Sequence, residues 1–252
     1  MNPGLFLMMK QRLDKTLVMR GLATTRSQAE NYIRLGKVMV NGELVQKAGH
    51  MVGEQDVVRL QLTERYVSRA GLKLASVASA FALDFRDRTV LDIGSSTGGF
   101  TDYALQHGAK KVFAVDVGTD QLHPSLRGNE QISLHEKTDI REFYTDETID
   151  LIVGDVSFIS LREILPHVAK HLMRPETVLA AMVKPQFEAG RGQTNKGVVK
   201  NNAVRRQILA EFEMWARQYF VVLDKKDSDV AGSKGNVERF YKLRLAARRA
   251  WE

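Results

Sequence analysis

The sequence predicts an α/β protein in two parts: a small α+β domain, followed by a larger domain built on a mostly parallel sheet. Four apolar runs after residue 88 lack polar alternation, as is typical of strands buried on both faces of a parallel sheet. Helical patterns lie between these runs, which favours a doubly wound sheet with right-handed crossovers. Before residue 62 the pattern instead indicates two short helices and a tight hairpin.

The first domain is predicted over residues 9 to 62. Leucines at helical spacing indicate a first helix, and Thr25 with Gln28 has the capping-box spacing that starts a second. The dipeptide Asn41-Gly42 then joins two short alternating runs. Because Asn and Gly tolerate positive φ, this dipeptide predicts a hairpin with a type I′ turn.

The second domain is predicted over residues 73 to 252, after a linker at residues 63 to 72. Its buried strands are RTVLDIGS, KKVFAVDVG, IDLIVGDVS and TVLAAMVKP. A helix is expected at NNAVRRQILAEFEMWARQ, followed by two late strands at YFVVLDKKDS and ERFYKLRLAAR. This alternation of strands and helices predicts the doubly wound sheet.

The composition excludes several classes of site. There is no cysteine, which excludes disulfides and thiolate metal sites, and we predict no metal site of another kind. A reducing cytoplasm is the expected location. The longest apolar runs have five or six residues, far fewer than the roughly 20 that span a bilayer. The N-terminal MNPGLFLMMK lacks the features of a signal peptide, so we expect no stable membrane association.

Positive charge is concentrated near the N-terminus. Between Lys10 and Lys47 there are eight basic residues against three acidic ones, in a chain of formal net charge +7. Such a field favours polyanions, nucleic acid before anionic membrane. The segment RLDKTLVMRGLATTRSQAENYIRLGKVMVNGELV resembles the RNA-binding domain named after ribosomal protein S-four. The resemblance implies RNA binding through five basic residues: Arg12, Lys15, Arg26, Arg34 and Lys37. A basic helical cap without a ligand is the other interpretation.

A glycine-rich turn, in VLDIGSSTGGF, follows the first buried strand of the second domain. Glycines before a helix permit a tight turn and close approach of a ligand to free backbone N–H groups. Asp116 ends the next strand, where a carboxylate can accept hydrogen bonds from both hydroxyls of a ribose. Asp139 follows the third strand, where an adenine amino group can donate to it.

The order of this turn and these carboxylates resembles the S-adenosylmethionine site of Rossmann-like methyltransferases. The resemblance implies a cofactor site made of nine residues: Gly94, Ser95, Ser96, Thr97, Gly98, Gly99, Asp116, Asp139 and Asp155. The spacing is not G-x-G-x-x-G, so a dinucleotide fingerprint fits poorly, and a nicotinamide or nucleotide site is the alternative. Taken singly, Asp116 could cap a helix and Asp139 could form a turn.

Four charged residues complete the predicted site. Asp155 ends LIVGD, Lys184 ends VLAAMV, Glu238 begins ERFYKL, and Lys73 is on the helix leading into the domain. In a doubly wound sheet the carboxyl ends of the strands border the ligand cleft. Lysine, aspartate, lysine and glutamate in this chain order resemble the catalytic tetrad of FtsJ-type ribose 2′-O-methyltransferases. Singly, each residue would more simply be part of a surface salt bridge.

The resemblance extends to the TlyA family, whose members are often labelled hemolysins. It rests on YVSRAGLKL, DIGSSTGGFTD, GDVSFISL, VKPQFEAGR and KGNVERFYKL, and covers almost the whole chain. It implies a Rossmann-like domain that transfers a methyl group from S-adenosylmethionine to cytidine 2′-hydroxyls. The implied partners are ribosomal RNA or ribosomal subunits. The sequence does not determine the nucleotide, the subunit or the oligomeric state.

Lys184 has two possible roles in such a reaction. A ribose hydroxyl is a poor nucleophile and needs a base, and a lysine must be neutral to accept its proton. Burial and the second ammonium of Lys73 favour neutral Lys184, whereas Asp155 and Glu238 favour the charged form. Lys184 is therefore either the base or, when charged, a donor that orients the hydroxyl.

Several flanking features have two interpretations each. The glycine-rich basic loop over residues 188 to 202 is either a lid over RNA or a surface loop. Phe187 either stacks on a flipped cytidine or belongs to the core. Ser68 and Arg69 are candidates for coupling the two domains. For the whole protein, the alternatives to an RNA methyltransferase are a membrane-active cytolysin and a non-catalytic RNA-binding factor of ribosome assembly.

Overall fold

The computed structural model describes residues 10–23, 25–34, 36–60, 65–190, 192–195, 197–232 and 235–247. The chain divides into two compact units, and the boundary along the chain falls between residues 64 and 65. The N-terminal extension and two basic residues of the predicted loop, Arg191 and Lys196, lie outside the described residues. The predicted bounds of the domains and linker also fall partly on such residues and stay predictions.

The first unit combines two helices with short antiparallel strands. The helices are α1 (Leu13–Met19) and α2 (Arg26–Arg34). The strands are β1 (Gln11–Arg12), β2 (Val38–Val40), β3 (Glu43–Leu44), β4 (Met51–Val52) and β5 (Val58–Leu60). β1 pairs with β4, and the other three form a sheet in the order β3-β2-β5. This is the α+β arrangement that the sequence predicts.

Two local signals in this unit are confirmed. The Thr25 Oγ1 accepts a hydrogen bond from the Gln28 backbone N–H at 3.2 Å, as expected of the residue that caps α2. Asn41 and Gly42 have φ values of 54° and 88°, the two positive values that a type I′ turn requires. The hairpin between β2 and β3 is therefore built as the dipeptide predicts.

The second unit is built on one sheet of seven strands. The strands are β6 (Thr89–Ile93), β7 (Lys111–Val115), β8 (Ile132–His135), β9 (Leu151–Gly154), β10 (Val178–Val183), β11 (Phe220–Asp227) and β12 (Arg239–Leu245). The helices are α3 (Arg69–Ala78), α4 (Gly99–Gln106), α5 (Leu161–His167), α6 (Pro185–Glu188) and α7 (Asn202–Ala216).

The strand order is β11-β12-β10-β9-β6-β7-β8. Five strands are parallel, and β12 runs antiparallel to both β10 and β11. The chain runs outward from β6 to β8 and then returns to place β9 on the other side of β6. The switch point between β6 and β9 is where ligands bind in doubly wound sheets.

Helices cover both faces of this sheet. Side chains of α3 and α4 pack with alternate residues of the strands on one face, for example Leu74 and Phe100. Side chains of α5 and α7, for example Ile164 and Phe212, pack on the other face. Burial on both faces explains why the strands read as apolar runs without alternation. No helix in the described part of the chain is both long and apolar enough to cross a membrane.

Candidate active site

Asp155 and Lys184 lie side by side because neighbouring parallel strands end at the same sheet edge. Each residue directly follows its strand, β9 and β10, which are hydrogen-bonded in parallel. The Lys184 Nζ lies 2.5 Å from Asp155 Oδ1 and donates to Ser157 Oγ at 2.7 Å. The Lys184 side chain is only 10% exposed. The structure thus places two predicted residues in a buried ion pair and adds Ser157, which the sequence analysis did not single out.

Lys73 and Glu238 form a second buried ion pair. Glu238 directly precedes β12, and an antiparallel strand begins at the edge where its parallel neighbours end. Lys73 Nζ, on α3, lies 2.5 Å from Glu238 Oε2, and the side chains are 11% and 4% exposed. Gly232 packs against this carboxylate, since a Cβ there would lie 2.8 Å from Glu238 Oε1. The four predicted catalytic residues therefore form two ammonium–carboxylate contacts.

Both pairs border a cavity of about 410 Å³, which we call the tetrad cavity and which is lined by Lys73, Lys184 and Glu238. Phe158 and Phe187 also line it, with ring centroids 5.3 Å apart. Phe158 is 91% exposed and has a φ of 68°, a conformation that non-glycine residues rarely adopt. An exposed aromatic ring held at the cavity in this way provides a surface for a planar ligand.

The glycine-rich turn follows β6 at the switch point. Gly94 has a φ of 78°, and a Cβ there would lie 2.9 Å from the Asp155 carbonyl oxygen, so both conformation and close packing require glycine. The Asp116 carboxylate accepts hydrogen bonds from the backbone N–H groups of Ser96 at 2.8 Å and Gly118 at 2.7 Å. Asp116 therefore joins the turn after β6 to the turn after β7.

A second cavity, of about 380 Å³, lies between these turns and is lined by Gly94, Ser96, Asp116, Asp139 and Asp155. The Asp139 carboxylate also accepts from the Arg141 backbone N–H at 2.9 Å and guanidinium at 2.6 Å. These hydrogen bonds to Arg141 lower the pKa of Asp139. Asp139 thus forms a turn and also borders the cavity, so its role in the turn does not exclude the predicted contact with a ligand.

A third, smaller cavity of about 130 Å³ connects the glycine-rich turn with Lys184 and Asp155, and Ser95, Thr97 and Asp92 also line it. Asp92 is buried on β6, and burial above all raises its pKa to about 7. The Asp92 Oδ2 accepts from the Thr101 hydroxyl at 2.7 Å. The sequence analysis missed Asp92, although an aspartate inside the apolar run VLDIG was a visible signal.

Two buried oxygens at this third cavity have neither a hydrogen-bond partner nor an ion-pair partner in the described part of the chain. They are Asp92 Oδ1 and Ser95 Oγ. Unpaired buried acceptors cost free energy unless a ligand or water satisfies them. They indicate that a polar group with hydrogens to donate belongs in this cavity.

The last two glycines of the turn have packing roles. Gly98 has a φ of 89° and directly precedes α4 as its N-cap residue, where a Cβ would collide with Leu122 and Leu126. A Cβ on Gly99 would lie 2.2 Å from Ser68 Oγ, so this glycine lets α3 and α4 approach closely. Neither glycine lines the second or the third cavity. Their predicted contribution to a cofactor site is therefore indirect, through the shape of the turn.

The predicted RNA-binding residues all lie in the first unit, but two of them are already paired. Asp14 is buried, and its Oδ2 lies 2.9 Å from Arg12 Nη2 and 2.8 Å from Arg26 Nε. Hydrogen bonds from Arg12 and Arg26 hold the pKa of Asp14 well below its usual range. Lys15 is exposed. Arg12 and Arg26 thus have a structural role beside any contact with RNA.

Arg34 and Lys37 complete this predicted set. Arg34 is exposed at the end of α2 and donates to Asn31 Oδ1 at 3.0 Å. Lys37 is partly buried just before β2. Lys15, Arg26 and Arg34 lie in α1 and α2, as predicted, whereas Arg12 ends β1 and Lys37 directly precedes β2.

The glycine-rich loop over residues 188 to 202 is held by hydrogen bonds to Asn236. Asn236 is buried, its Oδ1 accepts from the Val199 N–H at 3.1 Å, and its Nδ2 donates to the Gly197 carbonyl at 3.0 Å. The loop over residues 188 to 202 is therefore joined at Gly197 and Val199 to the segment that precedes Glu238. Its role as a lid or a surface loop stays a prediction.

The two residues predicted to couple the domains have defined hydrogen bonds, and their coupling role stays a prediction. Ser68 caps α3 by accepting a hydrogen bond from the Ala70 N–H at 3.3 Å. The Arg69 guanidinium donates to the Ala231 carbonyl at 3.0 Å. Both contacts lie within the second unit.

Two family models match the chain. The model of the FtsJ-like methyltransferase family matches residues 66–245, and the S4 domain model matches residues 11–58. The first match covers more than half of the chain and contains all four tetrad positions. The second covers the helices, the hairpin and the five predicted RNA-binding residues of the first unit.

Similar proteins match over nearly the full length. The 16S/23S rRNA (cytidine-2′-O)-methyltransferase TlyA of Mycobacterium tuberculosis is 39% identical over 249 residues, 96% of this chain and 92% of that protein. Hemolysin A of Brachyspira hyodysenteriae is 38% identical, over 90% of this chain and 97% of its own. A solved structure named as a hemolysin from Streptococcus thermophilus has a TM-score of 0.72 at 38% identity, and the match covers 95% of this chain and 90% of that one. The chain therefore belongs to the FtsJ-like methyltransferase family, together with these TlyA and hemolysin A relatives.

Proposed function

We propose that this protein transfers a methyl group from S-adenosylmethionine to the 2′-hydroxyl of a cytidine in ribosomal RNA. The observation that carries the proposal is the pair of buried contacts, Lys184–Asp155 and Lys73–Glu238, beside one cavity next to the glycine-rich turn. Relatives named as rRNA (cytidine-2′-O)-methyltransferases support the substrate. The S4 domain match over the basic first unit supports RNA as the partner.

The residues around the turn fit S-adenosylmethionine. The unpaired acceptors of Asp92 and Ser95 would hold its ammonium group, which satisfies both and stabilises the Asp92 carboxylate. Asp116 and Asp139 would hold the ribose and adenine, since an ionised carboxylate has spare acceptor sites beyond its present bonds. When bound, the cofactor supplies an electrophilic methyl group on a sulfonium sulfur.

In the proposed reaction, Lys184 of the tetrad takes up the proton that the ribose hydroxyl loses. For this role Lys184 first releases the proton of its ammonium to solvent, and the neutral amine then accepts the hydroxyl proton at Nζ while the hydroxyl oxygen acts as the nucleophile. Asp155 and Ser157 then hold the resulting ammonium through the contacts already described. Lys73 and Glu238 also line the cavity, and their charges balance each other.

The test is a transfer assay with the purified full chain, methyl-labelled S-adenosylmethionine, and separate 30S subunits, 50S subunits and naked ribosomal RNA. We expect label in RNA, recovered on a ribose 2′-oxygen of cytidine. Label recovered on a base, or no label although the cofactor binds, would contradict the proposal. RNA binding without transfer would favour the assembly factor, and leakage of liposomes without cofactor would favour the cytolysin.

Phe158 is expected to contribute to recognition of the target base. Its exposed ring at the cavity fits stacking on a flipped base, and Phe158→Ala should lower kcat/KM for RNA by about 10- to 100-fold, because base–aromatic stacking contributes ~1–3 kcal/mol. Phe158→Trp should retain most activity. The matched control is Tyr144→Ala, which removes an aromatic ring that is 61% exposed outside these cavities. Equal kcat/KM values for Phe158→Ala and the unaltered protein would exclude stacking on this ring.

A further inference from the structure

Glu188 is the last residue of α6, and its carboxylate is buried next to the first turn of α5. Its Oε2 accepts a hydrogen bond from the Ser160 hydroxyl at 2.6 Å, and its Oε1 accepts from the Leu161 backbone N–H at 2.7 Å. The Arg162 Nε lies 3.5 Å from Oε2. The Glu188 side chain is 2% exposed, so these contacts are shielded from water.

These contacts join the two segments that carry the reactive side chains. The β9–α5 loop, residues 155 to 160, contains Asp155, Ser157 and Phe158 and ends at Ser160. The β10–α6 turn, residues 184 to 188, begins at Lys184. Lys184 contacts Asp155 and Ser157 where the two segments leave the sheet, and Glu188 joins them again at their far ends. The two segments are thus fixed to each other at both ends.

The β9–α5 loop is also a wall shared by the two larger cavities. Ser157 and Phe158 line both the tetrad cavity and the cavity between the turns after β6 and β7. A shift of this loop would therefore move the partner of Lys184 and the exposed ring of Phe158 at once. Glu188 itself lines neither cavity.

Burying a carboxylate between two segments costs desolvation free energy. Burial raises the pKa of Glu188, while the bonds from Ser160 and Leu161 partly counteract that effect. Apolar packing of similar volume commonly stabilises a fold as well as a buried charge does. Unlike apolar packing, the carboxylate fixes the relative orientation of the two segments, because its two oxygens accept from two different donors in one geometry.

We propose that Glu188 is a positioning residue, which fixes the β9–α5 loop against the β10–α6 turn so that Ser157, Phe158 and Lys184 keep the geometry that methyl transfer needs. The proposal rests on the function proposed above, because it assigns Glu188 a role in that same site. It predicts that kcat falls by a larger factor than cofactor affinity, since the glycine-rich turn and Asp116, which also line the cofactor cavity, are not part of the loop that Glu188 holds.

The test uses three variants of the full chain. Glu188→Ala removes both hydrogen bonds, whereas Glu188→Gln keeps the shape and one acceptor oxygen. Asp150→Asn is the matched control, because Asp150 accepts from the Thr89 N–H at 2.9 Å and lies 3.6 Å from Arg88 at the opposite end of β9. For each variant we would measure kcat, the KM for both substrates, the melting temperature and hydrogen exchange of the segment over residues 155 to 161.

We expect kcat of Glu188→Ala to fall about 10- to 100-fold, as follows from a small misplacement of reacting groups. The kcat of Glu188→Gln should lie between those of Glu188→Ala and the unaltered protein, and in both variants the KM for S-adenosylmethionine should rise by a smaller factor than kcat falls. Hydrogen exchange over residues 155 to 161 should be faster in Glu188→Ala and unchanged in Asp150→Asn, even if both variants melt at a lower temperature.

Two results would overturn the role of Glu188. One is unchanged kcat and unchanged exchange in Glu188→Ala. The other is an equal loss of kcat in Asp150→Asn, which would mean that lost stability alone explains the effect. If the unaltered protein methylates no RNA, the proposed function fails, and the exchange experiment still shows whether Glu188 fixes the loop.

Discussion

Lys184→Ala is expected to lose methyl transfer while the protein keeps its fold and its affinity for S-adenosylmethionine. Loss of a general base lowers rates by about 10²–10⁴-fold, which brings transfer close to the detection limit. The physical reason is that Lys184 Nζ sits in the tetrad cavity with Asp155 and Ser157 arranged to hold the ammonium that forms. The measurement is single-turnover transfer of a labelled methyl group to ribosomal RNA.

Removing one partner of a buried ion pair also destabilises a protein, so a second variant separates the two effects. Lys184→Gln retains an N–H donor for Asp155 but provides no amine to accept a proton, and we expect it to be as inactive as Lys184→Ala. Lys170→Ala, at an exposed lysine of the segment after α5, is the control and should remain active. Substantial transfer by folded Lys184→Gln would rule out Lys184 as the base.

The second large effect is expected for Asp116→Ala, as a loss of cofactor affinity. A hydrogen bond to a charged group contributes about 1.5–3 kcal/mol, so two bonds from the ribose hydroxyls correspond to a rise in Kd of about 10²–10⁴-fold. The same substitution frees the N–H groups of Ser96 and Gly118, which loosens the turn around the cavity. Isothermal titration with S-adenosylmethionine measures the Kd directly.

The matched control is Asp120→Ala. Its carboxylate is 79% exposed and pairs with Arg127 instead of bordering the cofactor cavity. We expect this variant to bind S-adenosylmethionine as the unaltered protein does. Equal Kd values for Asp116→Ala and Asp120→Ala would show that the ribose is held elsewhere, and the melting temperature of each variant shows whether the fold is retained.

The sheet edge could be predicted because strand ends can be read from the sequence. Apolar runs that stop at Asp155 and Lys184 place both residues at the carboxyl ends of strands, and β9 and β10 prove to be neighbours. The Asn41-Gly42 turn could be predicted for a similar reason, since its conformation depends on those two residues alone. Local signals of this kind do not depend on the rest of the fold.

Contacts between distant segments were the part that could not be predicted. Glu188 looked like part of a loop, and only the packing of α6 beside α5 brings it to Ser160 and Leu161. The pairing of Arg26 with Asp14, which lies 12 residues earlier on another helix, was hidden for the same reason. Periodicity in the sequence predicts which face of an element is buried, but it does not predict which side chains of two different elements contact each other.

The most direct test of the central proposal is a map of 2′-O-methylated positions in ribosomal RNA. It compares cells that contain the unaltered protein, cells that contain Lys184→Gln, and cells that lack the protein. We predict at least one cytidine whose 2′-O-methylation is present with the unaltered protein and absent in the other two. Identical maps in all three would contradict the proposal that this protein methylates ribosomal RNA.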